Sequence, residues 1–195
     1  MSRATHLDLR PLSDAAGPSA VDAAEDFAGR SPEITSTRTI AWQDPVPTAA
    51  AGAGMAGLDY VRAIQAGELP PPPIAVVMNF SITELEEGQA VFVGEPGEEH
   101  YNPIGVVHGG YASTLLDSAL GCAVHTTLPA GVGYTSQTLE VKYLRPITRD
   151  TGVVRCEAEV VHRGRKTATS EARLTASATG KLLATGTSTC LILGE

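Results

Sequence analysis

The chain has 195 residues, 43% of them hydrophobic, with 14 Lys and Arg against 22 Asp and Glu for a formal charge of −8. That length and composition suit one domain with an appendage and argue against a disordered or fibrous chain. Net acidity argues against a protein that grips nucleic-acid phosphates, and no apolar run nears the roughly 20 residues that span a bilayer.

Residues 1–35 mix small, polar and acidic side chains without sustained periodicity and read as loop, with a marginal helix near Ala20–Ala28. Thr37–Trp42 has the composition of a short strand, and Thr48–Gly57 is an Ala/Gly segment, so residues 1–54 read as a largely irregular, partly disordered N-terminal extension. Residues 55–73 combine a short helix, Leu58–Ala66, ended by Gly67, with an extended run at Pro70–Pro73. Such a run acts either as a stiff linker or as a ligand for an aromatic groove, and the linker is the commoner use.

From residue 74 the pattern sharpens into a module that reaches residue 195. Phe80–Glu86 and Ala90–Glu95 read as a hairpin about Gly88, and a Pro/Gly/Glu-rich loop follows through Val107. Gly109–Thr127 reads as a helix stopped by Leu128-Pro129-Ala130-Gly131. Four extended segments complete the chain: Tyr134–Arg145, Gly152–His162, Thr167–Ala178 and Leu182–Leu193. In two of them small or apolar residues alternate with polar ones, Val154, Cys156, Ala158 and Val160 in the first and Ala168, Ala172, Leu174 and Ala176 in the second. Period-two alternation marks antiparallel strands with one buried face. The expected class is α+β, a six-stranded antiparallel sheet covering the single long helix, because nothing else is available to bury it.

Charge is unevenly spread over this plan. Residues 55–141 carry Arg62 alone against ten acidic side chains, whereas residues 142–195 carry nine basic against five acidic. A basic C-terminal quarter suits a local anionic partner, although strand faces that point Lys and Arg into water explain it as well. Three cysteines make no disulfide framework, and the opening MSRATHLDLRPLSD has no apolar signal stretch, so the expected setting is a reducing cytoplasm. Scarce Lys beside plentiful Arg and Ala suggests a bacterial source.

On the helix, Tyr111, Ala112, Leu115, Leu116, Ala119, Leu120, Ala123 and Val124 form one apolar stripe at about 100° per residue. Asp117 lies off that stripe among Gly110, Ser113, Thr114 and Gly121, so it is either a solvated outer side chain or a carboxylate with space in front of it. Gly109 and Gly110 open the helix, and their N–H groups read as unpaired donors that a ligand oxygen can approach closely. An oxyanion-holding helix start about two turns from a carboxylate suits acyl transfer.

Asn102-Pro103-x-Gly105-x-x-His108-Gly109-Gly110, then Leu116-Asp117 and Gly121-x-Ala123, resembles the signature of hotdog-fold acyl-CoA thioesterases of the phenylacetate-pathway, PaaI-like type. The likeness continues through Gly133-x-x-Ser136, Tyr143-x-x-Pro146, Gly164-Arg165-Lys166-Thr167 and Thr179-Gly180-Lys181-Leu182, and so covers residues 74–195. It implies a sheet wrapped round a central helix and self-association as a homodimer or a dimer of dimers, that is, a homotetramer. It further implies Asp117 as general base or nucleophile, the Gly109 N–H polarising the thioester carbonyl, and Asn102 holding water or substrate. Ser136 would assist the water from the neighbouring subunit, with His108 in the catalytic motif and Gly110 and Thr114 lining the substrate. In this family the equivalents of Gly109 and Asp117 in one site come from different subunits. Arg163, Arg165 and Lys166 match a region that meets coenzyme A phosphates, and no metal or separate cofactor is implied, coenzyme A being part of the substrate.

The chemistry is self-consistent, because a thiol with a pKa near 8.5 leaves without a strong general acid. His108 serves either as a base or, more simply, to fix the loop before the helix. Cys122 and His125 stand three residues apart and read as core packing rather than half a metal site or a nucleophile with its base. Glu98-Glu99-His100 reads as a solvated loop, and Trp42 as the residue docking the extension onto the module. Two rival functions are a hotdog hydratase or dehydratase acting on acyl thioesters, and a non-catalytic acyl-CoA-binding protein.

Overall fold

The computed structural model describes residues 36–194. Readings placed on residues 1–35 lie outside those residues. In chain order the described elements are helices α1 (Pro45–Gly52), α2 (Gly57–Gln65) and α3 (Pro73–Met78), strands β1 (Phe80–Glu86) and β2 (Gln89–Gly94), and helix α4 (Gly109–His125). Strands β3 (Gly133–Tyr143), β4 (Val154–Arg163), β5 (Thr167–Ala176) and β6 (Leu182–Leu193) follow.

The six strands form one antiparallel sheet in the order β1-β2-β4-β5-β6-β3. Helix α4 packs against five of them, β2 to β6, so the sheet wraps it as the sequence pattern requires. All eight residues of the predicted stripe are buried. Leu115, Leu116 and Leu120 are wholly removed from solvent, which stabilises the fold by roughly 1.5–3 kcal/mol each. The facing positions of the sheet are mostly small: Ala90, Ala158, Ala172, Ala176 and Ala184. Gly186 completes that floor, since a Cβ there would stand 3.3 Å from Leu120 and 3.4 Å from Leu116. Large side chains on the helix thus meet short ones on the sheet, which lets a single helix sit deep in a curved sheet.

Strand β3 differs from the rest. It is a sheet edge of 11 residues whose middle, Thr135 to Glu140, is exposed throughout. Its outer row of N–H and C=O groups is a template for another strand.

Four local expectations change. Thr37–Trp42 forms no strand, and the first described element is instead α1, which starts where the Asp44 Oδ1 accepts from the Val46 N–H at 3.0 Å and Pro45 fills the first helical position. The extended proline run ends at Pro72, because Pro73 opens α3, where its missing N–H is harmless. Trp42, expected as a docking residue, is 58% exposed. Glu98–His100 is a turn of 3-10 helix, not a solvated loop, and its His100 is buried.

Candidate active site

The start of α4 is set by the loop before it. Asn102 Oδ1 accepts from the Ile104 N–H at 3.1 Å and the Val106 N–H at 3.4 Å, which closes a turn completed by Gly105 at φ +80°. The His108 N–H donates to the His100 carbonyl at 2.7 Å, and the His100 ring lies 4.8 Å from that of Tyr111. His100 Nδ1 accepts from the Gly97 N–H at 2.9 Å. This buried histidine is therefore a structural post for the motif loop, a role its acidic neighbours in sequence conceal.

His108 acts as the helix cap. Its Nδ1 accepts from the Gly110 N–H at 2.8 Å and its carbonyl from the Tyr111 N–H at 2.9 Å. This corrects the expectation that both glycine N–H groups are unpaired. Only the Gly109 N–H is left without an acceptor among the described residues. Gly109, His108 and Asn102 line a cavity of about 310 Å³ together with Tyr143, Leu144, Arg145 and Leu183. A Cβ at Gly109 would come within 3.2 Å of the Tyr143 ring, so any side chain there would crowd that ring. Tyr143 and Arg145 are cavity residues that the helix pattern alone gives no reason to select.

Asp117 sits elsewhere. It is half-buried on α4 and accepts from the hydroxyl of Ser136, an exposed residue of β3, at 3.2 Å. Neither belongs to the cavity lining. Eight residues separate Gly109 from Asp117, about 12 Å along the helix axis at roughly 1.5 Å per residue. One chain therefore brings Asn102, His108 and Gly109 together, and Asp117 and Ser136 together, but not the two groups with each other. Helix positions 109, 113, 117 and 121 form a row facing β3: Gly109 abuts Tyr143, the Ser113 hydroxyl meets the Tyr143 hydroxyl at 2.5 Å, Asp117 meets Ser136, and Gly121 abuts Tyr134. Gly110 is half-buried, and its carbonyl accepts from the Thr114 hydroxyl at 2.8 Å.

Arg165 and Lys166 are exposed in the turn joining β4 to β5, and Arg163 precedes them with a bond to the Gly164 carbonyl at 2.6 Å. Thr167 is paired with Leu191 and Ser136 with Cys190, so this basic turn lies at the same end of the sheet as Ser136. The cavity uses Leu183 at the other end of β6, roughly 26 Å away at about 3.3 Å per residue. Cys122 packs against the core, and burial pushes its thiol up to about 12, which makes it a poor nucleophile. His125 is held below its usual pKa by burial. No cluster of three His, Cys, Asp or Glu side chains suited to a metal occurs among the described residues. No described helix is long and apolar enough to cross a membrane.

A helix inside a curved six-stranded antiparallel sheet, with a spare N–H at its start, defines the hotdog class. A family model for the thioesterase superfamily matches residues 104–183. Human acyl-coenzyme A thioesterase 13 is 31% identical over 111 residues, 57% of this chain and 78% of that protein. Among solved structures, a phenylacetic acid degradation-related protein from Ralstonia eutropha has 29% identity and a TM-score of 0.62, covering 68% of this chain and 98% of its own. A mutant of the phenylacetic acid degradation protein PaaI of Thermus thermophilus has 30% identity and a TM-score of 0.56, covering 62% and 98%. The chain belongs to the thioesterase superfamily and is a thioester-hydrolysing enzyme of its PaaI-like branch.

Proposed function

We propose that this enzyme hydrolyses acyl-coenzyme A, with an aryl or medium-chain acyl group, at a site shared by two copies of the chain. The observation that carries the reading is the Gly109 N–H, the one donor at the helix start with no acceptor, beside a cavity. A carbonyl oxygen seated there gains a hydrogen bond that strengthens as negative charge develops on it. The acyl class rests on the modest cavity and on the phenylacetic acid relatives.

The carboxylate comes from the second copy. A two-fold axis near Ser113 sets two α4 helices antiparallel and brings Gly109 of one opposite Asp117 of the other. The exposed β3 edge supports such pairing, and the second copy would bridge the gap of about 12 Å that one chain leaves between the two groups. Asp117 then removes a proton from water as the water oxygen adds to the carbonyl carbon, the C–S bond breaks, and the thiolate of coenzyme A takes up a proton. Direct attack by Asp117 gives a mixed anhydride that water opens, with the same products. Ser136 orients the carboxylate, and the Asn102 NH2 is the donor for water or substrate, its Oδ1 being engaged in the loop. Gly110 and Thr114 line the approach, while Arg163, Arg165 and Lys166 meet the coenzyme A phosphates. His108 holds the glycine turn rather than a proton in transit, and no metal enters. The dimer, or a tetramer built from it, is checked by light scattering, and three free thiols suit a cytoplasmic setting.

The test is release of free thiol from a panel of aryl and medium-chain acyl-coenzyme A substrates, with Asp117→Asn beside wild type. Thiol release that the substitution abolishes supports the reading. Release that survives it, or hydration of enoyl thioesters without thiol, overturns the reading.

A further inference from the structure

Helix α2 lies outside the matched family segment, yet it is bound to the end of α4. The Gly57 N–H donates to the Leu128 carbonyl at 2.9 Å, and a Cβ at Gly57 would overlap the His125 carbonyl, so the helix sits as close as a backbone can. From it the Tyr60 ring reaches His125, with centroids 5.6 Å apart, and the His125 ring reaches Tyr134 on β3 at 5.3 Å. Both ends of this row of rings press on bare backbone. A Cβ at Gly52 would overlap the Tyr60 ring, and one at Gly121 would stand 2.8 Å from the Tyr134 hydroxyl.

We propose that α2 positions the Asp117–Ser136 pair through the row of mutually tilted rings of Tyr60, His125 and Tyr134. The geometry supplies the link at both ends. Gly121 is one turn beyond Asp117 on α4, and Tyr134 is two residues before Ser136 on the same face of β3. Tyr134 thus wedges the edge strand against the helix one step from the 3.2 Å bond between Ser136 and Asp117. Immediately after Ser136 the pairing of β3 with β6 slips, between Ser136 and Thr138. A bulge aims a side chain and loosens the ladder, so Ser136 is held from the helix side as much as from its neighbour strand. Tyr60 and His125 are positioning residues, acting on the carboxylate through Tyr134. This inference rests on the thioesterase reading above.

The experiment measures kcat and KM of the full chain on a coenzyme A thioester that wild type hydrolyses. Variants Tyr60→Ala, Tyr60→Phe and Tyr60→Leu are compared with Asp117→Asn, and the His125 imidazole is titrated by NMR. In Tyr60→Ala the histidine is uncovered, so its midpoint rises toward 6.5. Positioning predicts that kcat falls at least tenfold there with KM within about twofold, and that Tyr60→Phe, which keeps the ring, restores it. Tyr60→Leu keeps bulk against Gly52 without a ring, and a tenfold loss of kcat in a variant that melts like wild type supports the same reading. A Tyr60→Ala or Tyr60→Leu enzyme with wild-type kcat and a shifted His125 midpoint overturns it, while an inactive Asp117→Asn then leaves the thioesterase reading standing. Thiol release indifferent to Asp117→Asn overturns both.

Discussion

The two ends of α4 are built to opposite ends of a scale. At its start, His108 is exposed, Gly109 and Gly110 are half-buried, and one N–H looks for an acceptor beside a cavity. At its finish, α2 closes the helix, three rings fill the space beside it, and the hydroxyl of Thr126 both accepts from the Gly88 N–H and donates to the Ala123 carbonyl. Both ends rely on glycine where protein crowds the backbone, to different degrees. A Cβ at Gly109 would stand 3.2 Å from the Tyr143 ring, one at Gly121 2.8 Å from the Tyr134 hydroxyl, and one at Gly57 would overlap the His125 carbonyl. A glycine inside a helix costs about 1 kcal/mol relative to alanine, and at Gly121 the close Tyr134 hydroxyl supplies the reason for it. Asp117 stands between an end that receives and an end that holds.

The sharpest way to break this division is at its midpoint. Asp117→Asn is nearly isosteric and removes the carboxylate proposed as base or nucleophile, so the expected outcome is a fall in kcat for thiol release of about 10²–10⁴, with the melting temperature close to wild type. The held end comes next. Gly121→Ala drives a methyl into Tyr134 and lowers stability by about 1–3 kcal/mol in denaturant titration. Pairing it with Tyr134→Phe, which removes the nearest atom, recovers part of that loss, and a strictly additive double mutant counts against the contact. At the receiving end His108→Ala deletes the cap to the Gly110 N–H and lowers stability by about 1 kcal/mol. Its kcat falls as well, since the freed Gly110 N–H and the slackened turn no longer hold the Gly109 N–H in place.

The held end was also the less legible of the two. Every strand and the long helix are readable because period-two alternation, the 3.6-residue stripe and Gly/Pro punctuation act locally, and the observed ends differ by a residue or two. The receiving end is readable for the same reason, since His108-Gly109-Gly110 and Asp117 lie on one short stretch of chain. His125 and Tyr134 lie on consecutive elements, but Tyr60 comes from 65 residues earlier, and only the fold sets the three in a row. Residues 45–52 hid their helix behind a bland Ala/Gly composition, although Asp44 followed by Pro45 is a start signal in its own right. His100 looked solvated because two glutamates precede it, and its burial follows from pairing with residues on the far side of a loop.

The smallest expected effect concerns pH and the middle ring of the row. Burial disfavours the His125 imidazolium, so its pKa in the folded enzyme lies below the ordinary 6.5. The groups facing it are Tyr60 from α2 and Tyr134 from β3, and burial raises both phenols, so neither supplies a negative charge near neutrality. Between the lowered value and 6.5 the unfolded chain takes up a proton at this residue that the folded chain refuses. Stability from keeping His125 neutral is therefore complete above 6.5 and drains away as the pH falls through that window. His125→Phe keeps a ring between the two tyrosines and abolishes the titration. Its melting temperature should fall less steeply than wild type from pH 7 to pH 5, and identical slopes would mean that the ring row is open to water and holds nothing.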